Sequence, residues 1–300
     1  MNRMSLNFVL LALCLFFSLL PSAAAADELI PLITTSELVV GPNRLGFGLL
    51  SGNKFVNHAA VTLRIYEVEG SKARLTGEAG AIYRPIRVEE AKGAVHRHAD
   101  GSNHVHNAEA GIQGMYTAEV EFERPGTWGI EMRVKEPTSA LKTVRLSVTV
   151  LEASVTPAIG SPAPRSRNLI VSDVPQLRQI DTSPQPDPRL HQVRIADAIA
   201  QRMPQLIVFA TPQFCTSRMC GPTVDIVRAL LPSFGKRVAF THQEIWQDFA
   251  KKKVFATVEE WRLKSEPWIF VVNRDGIIDA KFEGLVTNDE LENALQKVLN

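Results

Sequence analysis

Leu206-Ile207-Val208-Phe209-Ala210-Thr211-Pro212-Gln213-Phe214-Cys215-Thr216-Ser217-Arg218-Met219-Cys220-Gly221-Pro222 is the stretch on which the reading of this chain turns. It opens with a continuous apolar run, as expected of a strand covered on both faces. It closes on Gly221-Pro222, where a helix should start. Between them lie two cysteines with four residues separating them. A cysteine at a helix N-terminus has its thiolate stabilised by unpaired backbone N–H groups and by the helix dipole. The lowered pKa makes it a nucleophile or a good leaving group in disulfide exchange. Cys220 sits at the helix start, and Cys215, on the loop leaving the strand, is expected to be the more exposed.

Around this stretch, from residue 189 onward, the pattern alternates between helix and strand. Val193, Ala196, Ile199 and Ala200 form a helical stripe, and Val224, Ile226, Val227, Leu230 and Leu231 form the next. Lys236–Thr241 reads as a strand. Trp268-Ile269-Phe270-Val271-Val272, the turn Asn273-Arg274-Asp275-Gly276 and Ile277–Phe282 read as a hairpin. Thr287-Asn288-Asp289-Glu290 is a capping box that opens a last helix, whose buried side is Leu291, Leu295, Val298 and Leu299.

The order strand, cysteine loop, helix, strand, helix, X-Pro, hairpin, helix resembles that of the exported thioredoxin-like proteins of bacteria. The residues carrying the resemblance are Val208–Cys215, Cys220-Gly221-Pro222 and Glu266–Gly276. The resemblance implies an α/β thioredoxin-like domain over residues 189–300. It also implies a cis X-Pro bond at Pro267 beside the dithiol, with Cys215 attacking and Cys220 resolving. The family's motif has two residues between the sulfurs and this chain has four. A second alignment sets Cys220-Gly221-Pro222-Thr223 on the motif, making Cys220 the nucleophile and Thr223 the replacement for its partner. Both alignments stay open. In the family's copper-handling branch a histidine stands near the X-Pro region, where this chain has Glu266.

The N-terminus sets the expected compartment. Arg3 precedes a 17-residue, almost wholly apolar run, residues 4–20, and Pro21 and Ser22-Ala23-Ala24-Ala25-Ala26 follow. That is the pattern of a cleaved secretory signal over residues 1–26. The run is at the lower edge of the ~17–25 residues that span a bilayer. Cleavage removes Cys14 and leaves Cys215 and Cys220 as an even pair, which in an oxidising compartment points to a disulfide. The chain-entropy model gives about 2 kcal/mol for so short a loop, against about 4.7 for one of ~100 residues, so a bridge here serves redox chemistry better than stapling. The expected location is the periplasm or the exterior, which leaves peripheral membrane association open.

Residues 27–152 read as β, with period-two alternation at Val61, Leu63 and Ile65, at Tyr116, Ala118, Val120 and Phe122, and at Val144, Leu146, Val148 and Val150. Turn signals separate these runs, which suggests an immunoglobulin-like sandwich. Arg124–Gly129 fits a tight hairpin that sends Trp128 into the core. Seven prolines mark residues 153–188 as an extended, semi-rigid linker. Within the sandwich, His96, His98, His104 and His106 form two H-x-H pairs about a turn at residues 99–103. Alternate residues on a strand share a face, and neutral imidazoles take Zn(II) or Cu(II).

Two functional classes follow. One is a thiol-disulfide oxidoreductase acting on protein thiols or disulfides, which requires no cofactor and uses Cys215, Cys220 and Pro267. The other is a copper- or zinc-binding or metal-delivery protein that uses the histidine loop and, with soft thiolates, the cysteine pair. A redox-inactive scaffold is the third expectation, since the cysteine spacing is wider than the family's. His242 reads as a strand-end residue. A formal net charge of +1 with no basic stripe argues against nucleic acid. No Gly-rich phosphate loop, Gly-x-Ser-x-Gly elbow or His-Glu-x-x-His helix is present. The sequence fixes no oligomeric state.

Overall fold

The computed structural model describes residues 28–52, 54–86, 95–97, 103–105 and 113–300, with the backbone alone described at 95–97 and 103–105. The expected signal segment and two of the four clustered histidines, His98 and His106, lie outside the described residues.

The first half is built from β1 (Leu29–Ile33), β2 (Leu38–Val39), β3 (Gly41–Ser51), β4 (Lys54–Phe55), β5 (Ala60–Glu69), β6 (Lys72–Pro85), β7 (Val95–Arg97), β8 (Asn103–Val105), β9 (Gly114–Phe122), β10 (Gly126–Lys135) and β11 (Lys142–Leu151). Nine of them pair in the order β1-β3-β9-β6-β5-β10-β11-β2, with β4 on β3. The long strand β6 joins two layers: Lys72–Ala81 pairs with β5, and Ile82–Pro85 crosses to β9. One apolar core fills the space between. Leu45, Phe47, Tyr116 and Phe122 enter it from one layer, and Leu63, Ile65, Trp128, Ile130 and Met132 from the other. Period-two patterning produces this arrangement: in β9 Tyr116, Ala118, Val120 and Phe122 are buried while Glu119 and Glu121 face water. Gly126, at φ +124°, makes the turn into β10. Trp128 then packs edge-on against Phe122 at 5.1 Å and donates its indole N–H to the Arg124 carbonyl at 3.0 Å. The result is a β-rich, immunoglobulin-like sandwich.

The second half holds β12 (Gln205–Ala210), β13 (Ala239–Glu244), β14 (Trp246–Asp248), β15 (Lys253–Val254), β16 (Trp268–Val272) and β17 (Ile278–Glu283). Its helices are α1 (Ile195–Ala200), α2 (Cys220–Ala229), α3 (Leu231–Phe234), α4 (Ala256–Glu260) and α5 (Asn288–Leu299). Four strands pair in the order β13-β12-β16-β17, with β12 parallel to β13 and the other pairs antiparallel. Alternate residues of β12 serve two cores. Leu206, Val208 and Ala210 pack with α2 and α5, whereas Ile207 and Phe209 pack with Ile195, Ile199, Val258 and Trp261. This explains the unbroken apolar run. Thr287 and Glu290 close the capping box, with Glu290 N donating to Thr287 Oγ1 at 3.4 Å and Thr287 N to Glu290 Oε2 at 3.0 Å.

The α/β thioredoxin-like class expected for the C-terminal half is corrected by this architecture, because the molecule is mostly β. Strands reach 14 residues, whereas the longest helix, α5, has 12 and α1, α3 and α4 have six, four and five. The physical reason lies in the segments read as helical from their apolar spacing. The stripe beginning at Val193 sustains little more than a turn, and long helix-breaking and polar stretches separate the short helices.

Residues 153–188 do not stand free as a spacer. Gly160 N donates to Ile278 O at 2.8 Å, Ala163 N to Gly276 O at 2.9 Å and Ile278 N to Ser161 O at 3.0 Å. Ala163 is buried in the core beside Trp261, whose indole N–H meets Ser166 Oγ at 3.0 Å. Proline holds the chain extended, and the remaining amides dock it on the sheet.

The halves meet through charge. Glu37, in the turn before β2, accepts from Lys281 Nζ on β17 at 2.7 Å and from the amides of Val155 and Thr156 at 3.0 Å each. Arg44 on β3 grips Glu290 at 2.7 and 3.1 Å. Glu283 accepts from the amides of Ser36 and Glu37 at 2.7 and 2.9 Å. Gly284, at φ +74°, lies so close to Thr34 that a Cβ there would stand 2.6 Å from the Thr34 carbonyl oxygen.

Candidate functional site: two buried clusters beside the end of β12

Strand β12 ends at Ala210, and the chain then loops through Cys215 to reach α2 at Cys220. Turning within a four-residue spacer puts Arg218 in the left-handed region at φ +61°. Both cysteines are free and buried, Cys220 completely and Cys215 with 4% of its surface exposed. The expectation of a more exposed Cys215 therefore holds only as a small difference. Glu266 comes from the cis Glu266-Pro267 bond that leads into β16. One carboxylate oxygen and the two sulfurs all lie within 4.8 Å of one another. Pro267 thus directly follows the third member of the cluster.

The two thiols differ. The Cys215 pKa is lowered to about 6 by the hydrogen bond from the Cys220 thiol; the Ser217 hydroxyl and the backbone N–H groups of Cys220 and Met219 add to this, against burial. Ser217 Oγ lies 3.1 Å from Cys215 Sγ. The helix start therefore stabilises the sulfur on the preceding loop and not its own first residue. Burial pushes the Cys220 thiol well up, and proximity to Cys215 adds to the effect. Glu266 is pushed up to about 7, first by burial and then by the negative charges of Cys215 and Glu244.

A second cluster lies at Asp181, His191 and His242, all at most 1% exposed. Asp181 and His191 belong to the proline-bearing segment and the short helical turn Pro188–His191, and His242 to β13. His191 Nε2 stands 3.1 Å from Asp181 Oδ2, and His242 Nδ1 stands 3.5 Å from Asp181 Oδ1, long for a hydrogen bond. His242 Nε2 contacts the Ala210 carbonyl at 3.1 Å. Burial alone would raise the Asp181 pKa, but the charge of the neighbouring His242 and the hydrogen bond from His191 hold it below the carboxylate range. Burial depresses His191; burial also opposes charge on His242, but Asp181 outweighs it and raises the His242 pKa. His242 is therefore the more basic of the two imidazoles. Glu244, two residues on, accepts from Thr182 N at 3.0 Å and Thr182 Oγ1 at 2.6 Å, and Thr182 Oγ1 accepts from Gln213 N at 3.2 Å. A polar path thus runs from the Asp181 cluster to the cysteine loop.

Among the residues proposed from sequence, Cys215 and Cys220 lie together with Glu266 next to Pro267. The backbone register pairs His96 with His104 across β7 and β8. His242 is not a strand-end residue but a buried member of a polar cluster. Asp181, His191 and the role of Glu266 were missed. One local signal existed: Asp181-Thr182-Ser183-Pro184 has the form of an Asx turn, and Ser183 N does donate to Asp181 Oδ1 at 2.8 Å.

No family model and no curated protein matches the chain. Eight chains of solved structures match. One is CopC from Methylosinus trichosporium OB3b, at 11% identity over 42% of this chain and 97% of that one, with a TM-score of 0.23. Another is murine CRIg, at 11% identity over 42% of this chain and 99% of that one, with a TM-score of 0.22. At these values neither likeness bears on function.

Proposed function

We propose that the protein is an exported metal-binding protein that takes a soft ion, Cu(I) or Zn(II), at Cys215, Cys220 and Glu266. The observation that carries this reading is the convergence of two sulfurs and a carboxylate oxygen within 4.8 Å. Zn–S bonds of about 2.3 Å put two sulfurs of a tetrahedral site roughly 3.8 Å apart, and soft thiolates select Cu(I) and zinc. Cys215 gives up its proton readily, and the ion supplies the positive charge that draws the proton from Cys220. A carboxyl poised near neutrality becomes an anionic ligand in the same field. The signal-like residues 1–26 support export, and no helix among the described residues is long and apolar enough to cross a membrane. The paired register of His96 and His104 supports the histidine loop as a harder, imidazole-based site for copper(II) or zinc.

Anaerobic titration with Cu(I) or Zn(II) against a chromophoric chelator tests the thiolate site. One ion should bind in the wild type, with affinity at least ~100-fold weaker in Cys215→Ser. Equal affinity in the two proteins sinks the reading.

The unequal acidity of the thiols favours a second reading, thiol-disulfide exchange. The Cys215 thiolate would attack a substrate disulfide and release one substrate thiolate. Cys220, deprotonated, would then attack the Cys215 sulfur of the mixed disulfide and release the second. The protein pair would be oxidised and the substrate reduced by the same two electrons. A mixed disulfide trapped by Cys220→Ser and not by Cys215→Ser is its signature.

A further inference from the structure

We propose that Asp181, His191 and His242 form a second metal site, separate from the cysteines, that takes a divalent ion of the zinc class. Two parts of the chain supply the three residues, Asp181 and His191 from one segment and His242 from β13, and each offers a ligand atom within 4.8 Å of the others. In a tetrahedral zinc site, bonds of about 2.0–2.1 Å place nitrogen and oxygen ligands about 3.3 Å apart. The distances from Asp181 Oδ2 to His191 Nε2, 3.1 Å, and from Asp181 Oδ1 to His242 Nδ1, 3.5 Å, lie close to that edge length, one at each oxygen of a carboxylate set between the two imidazoles.

The surroundings of His242 suit a ligand. Its Nε2–H donates to the Ala210 carbonyl at 3.1 Å, so Nδ1 is the atom turned to Asp181, and an incoming ion would displace the proton there and take up its lone pair. A ligating histidine is ordinarily held this way, its second ring nitrogen donating to a carbonyl or carboxylate. Nδ1 of His242 is itself buried without a hydrogen-bond partner, and so is Ser183 Oγ, next to the amide that donates to Asp181. A buried polar atom left unpaired opposes folding, and an ion bound at Nδ1 would satisfy that nitrogen. Carboxylate and imidazole donors suit zinc and its divalent neighbours, whereas the cysteine cluster suits softer ions. The ion enters as the segment carrying Asp181 and His191 docks on β13, so the site is filled on folding. It braces Ala210, the last residue of β12, and with it the base of the cysteine loop.

The test uses full-length mature protein carrying Cys215→Ser, Cys220→Ser, His96→Ala and His104→Ala, which removes the thiolate site and the histidine loop and separates this inference from the proposed function. The protein is unfolded with a chelator, then refolded with Co(II) or with Zn(II). The expected result is one retained equivalent after desalting, tetrahedral cobalt absorption without a thiolate charge-transfer band, and a higher Tm. His191→Gln in that background should weaken retention at least 10-fold while circular dichroism stays folded. Should that variant fail to fold, X-ray absorption of the zinc form of the parent decides, with imidazole and carboxylate scattering and no sulfur expected. No retained ion, retention indifferent to His191→Gln, or zinc without imidazole neighbours each overturns the proposal.

Discussion

The two halves of the chain treat polarity in opposite ways. In the sandwich, the interior is aliphatic and aromatic, and charges such as Arg64, Arg74 and Arg124 sit on outer faces paired with Glu78 and Glu67. In the second half, Asp181, His191, Gln205, Thr211, Thr223, Thr241, His242 and Glu244 are all buried, and several carry atoms without a partner. Burying polar groups opposes folding unless each is paired. Their gathering along β12, β13 and the segments packed on them, with none of comparable density among the described residues of the sandwich core, separates a scaffold from a site. The described core of the sandwich is explained by stability alone, and that of the second half is not.

The largest test of that contrast is Trp128→Ala. Removing a fully buried indole from the sandwich core should cost about 3–5 kcal/mol. Denaturant unfolding should show the loss while the thiolate titration of Cys215, read by ultraviolet absorbance, stays in place. A moved titration would mean that the halves share one core and would break the contrast. Next in size is Lys281→Met. Glu37 and Lys281 are 8% and 16% exposed, and removing one partner of such a pair leaves a desolvated carboxylate, at a cost of about 3 kcal/mol. A loss within ±0.5 kcal/mol would show that this ion pair contributes nothing to docking.

Acid should act through the same junction. The Glu37 pKa is lowered to about 2; burial alone would raise it, but bonds from Lys281, Ser154 and Thr156 override that effect. A depressed carboxylate pKa gives stability that is present above the unfolded value and lost as pH falls through the folded one. Stability should therefore decline as pH drops from the ordinary carboxylate range towards about 2. Lys281→Met should flatten that decline, and a slope unchanged by the substitution would assign it elsewhere.

The same contrast explains what was legible in the sequence. Alternation in Tyr116–Phe122, the apolar run Leu206–Phe209 and the Thr287–Glu290 box are local, and each forms the element its pattern dictates. The expected α/β class failed because apolar spacing after residue 189 indicates which face is buried but not how long a helix lasts. The Asp181 cluster was hidden for a different reason. Its members are separated by ten and 51 residues, one of them inside a proline-rich stretch whose composition describes a linker and the next three residues past its end. Only the docking of that stretch against β13 brings them together. Glu266 stands out in the sequence only as the residue before Pro267 and as the position where the copper-handling branch has a histidine, and neither says that it meets the thiols.

The smallest test looks inside the site. Ser217 Oγ lies 3.1 Å from Cys215 Sγ and helps to hold the thiolate, after the larger contribution from Cys220. Ser217→Ala removes one hydrogen bond worth ~1 kcal/mol, equivalent to roughly 0.7 pH unit. The Cys215 pKa should rise from about 6 by no more than that, with the fold and Tm unaltered. Glu266→Gln should leave it nearly in place, because a carboxyl with a pKa of about 7 is still largely uncharged where a thiol with a pKa of about 6 titrates. A rise from one substitution and almost none from the other cannot come from loosened packing, which would move both alike. Shifts of the same size and sign would return the cysteine pair to the category of buried, inert thiols, and the contrast between scaffold and site would then rest on Asp181, His191 and His242 alone.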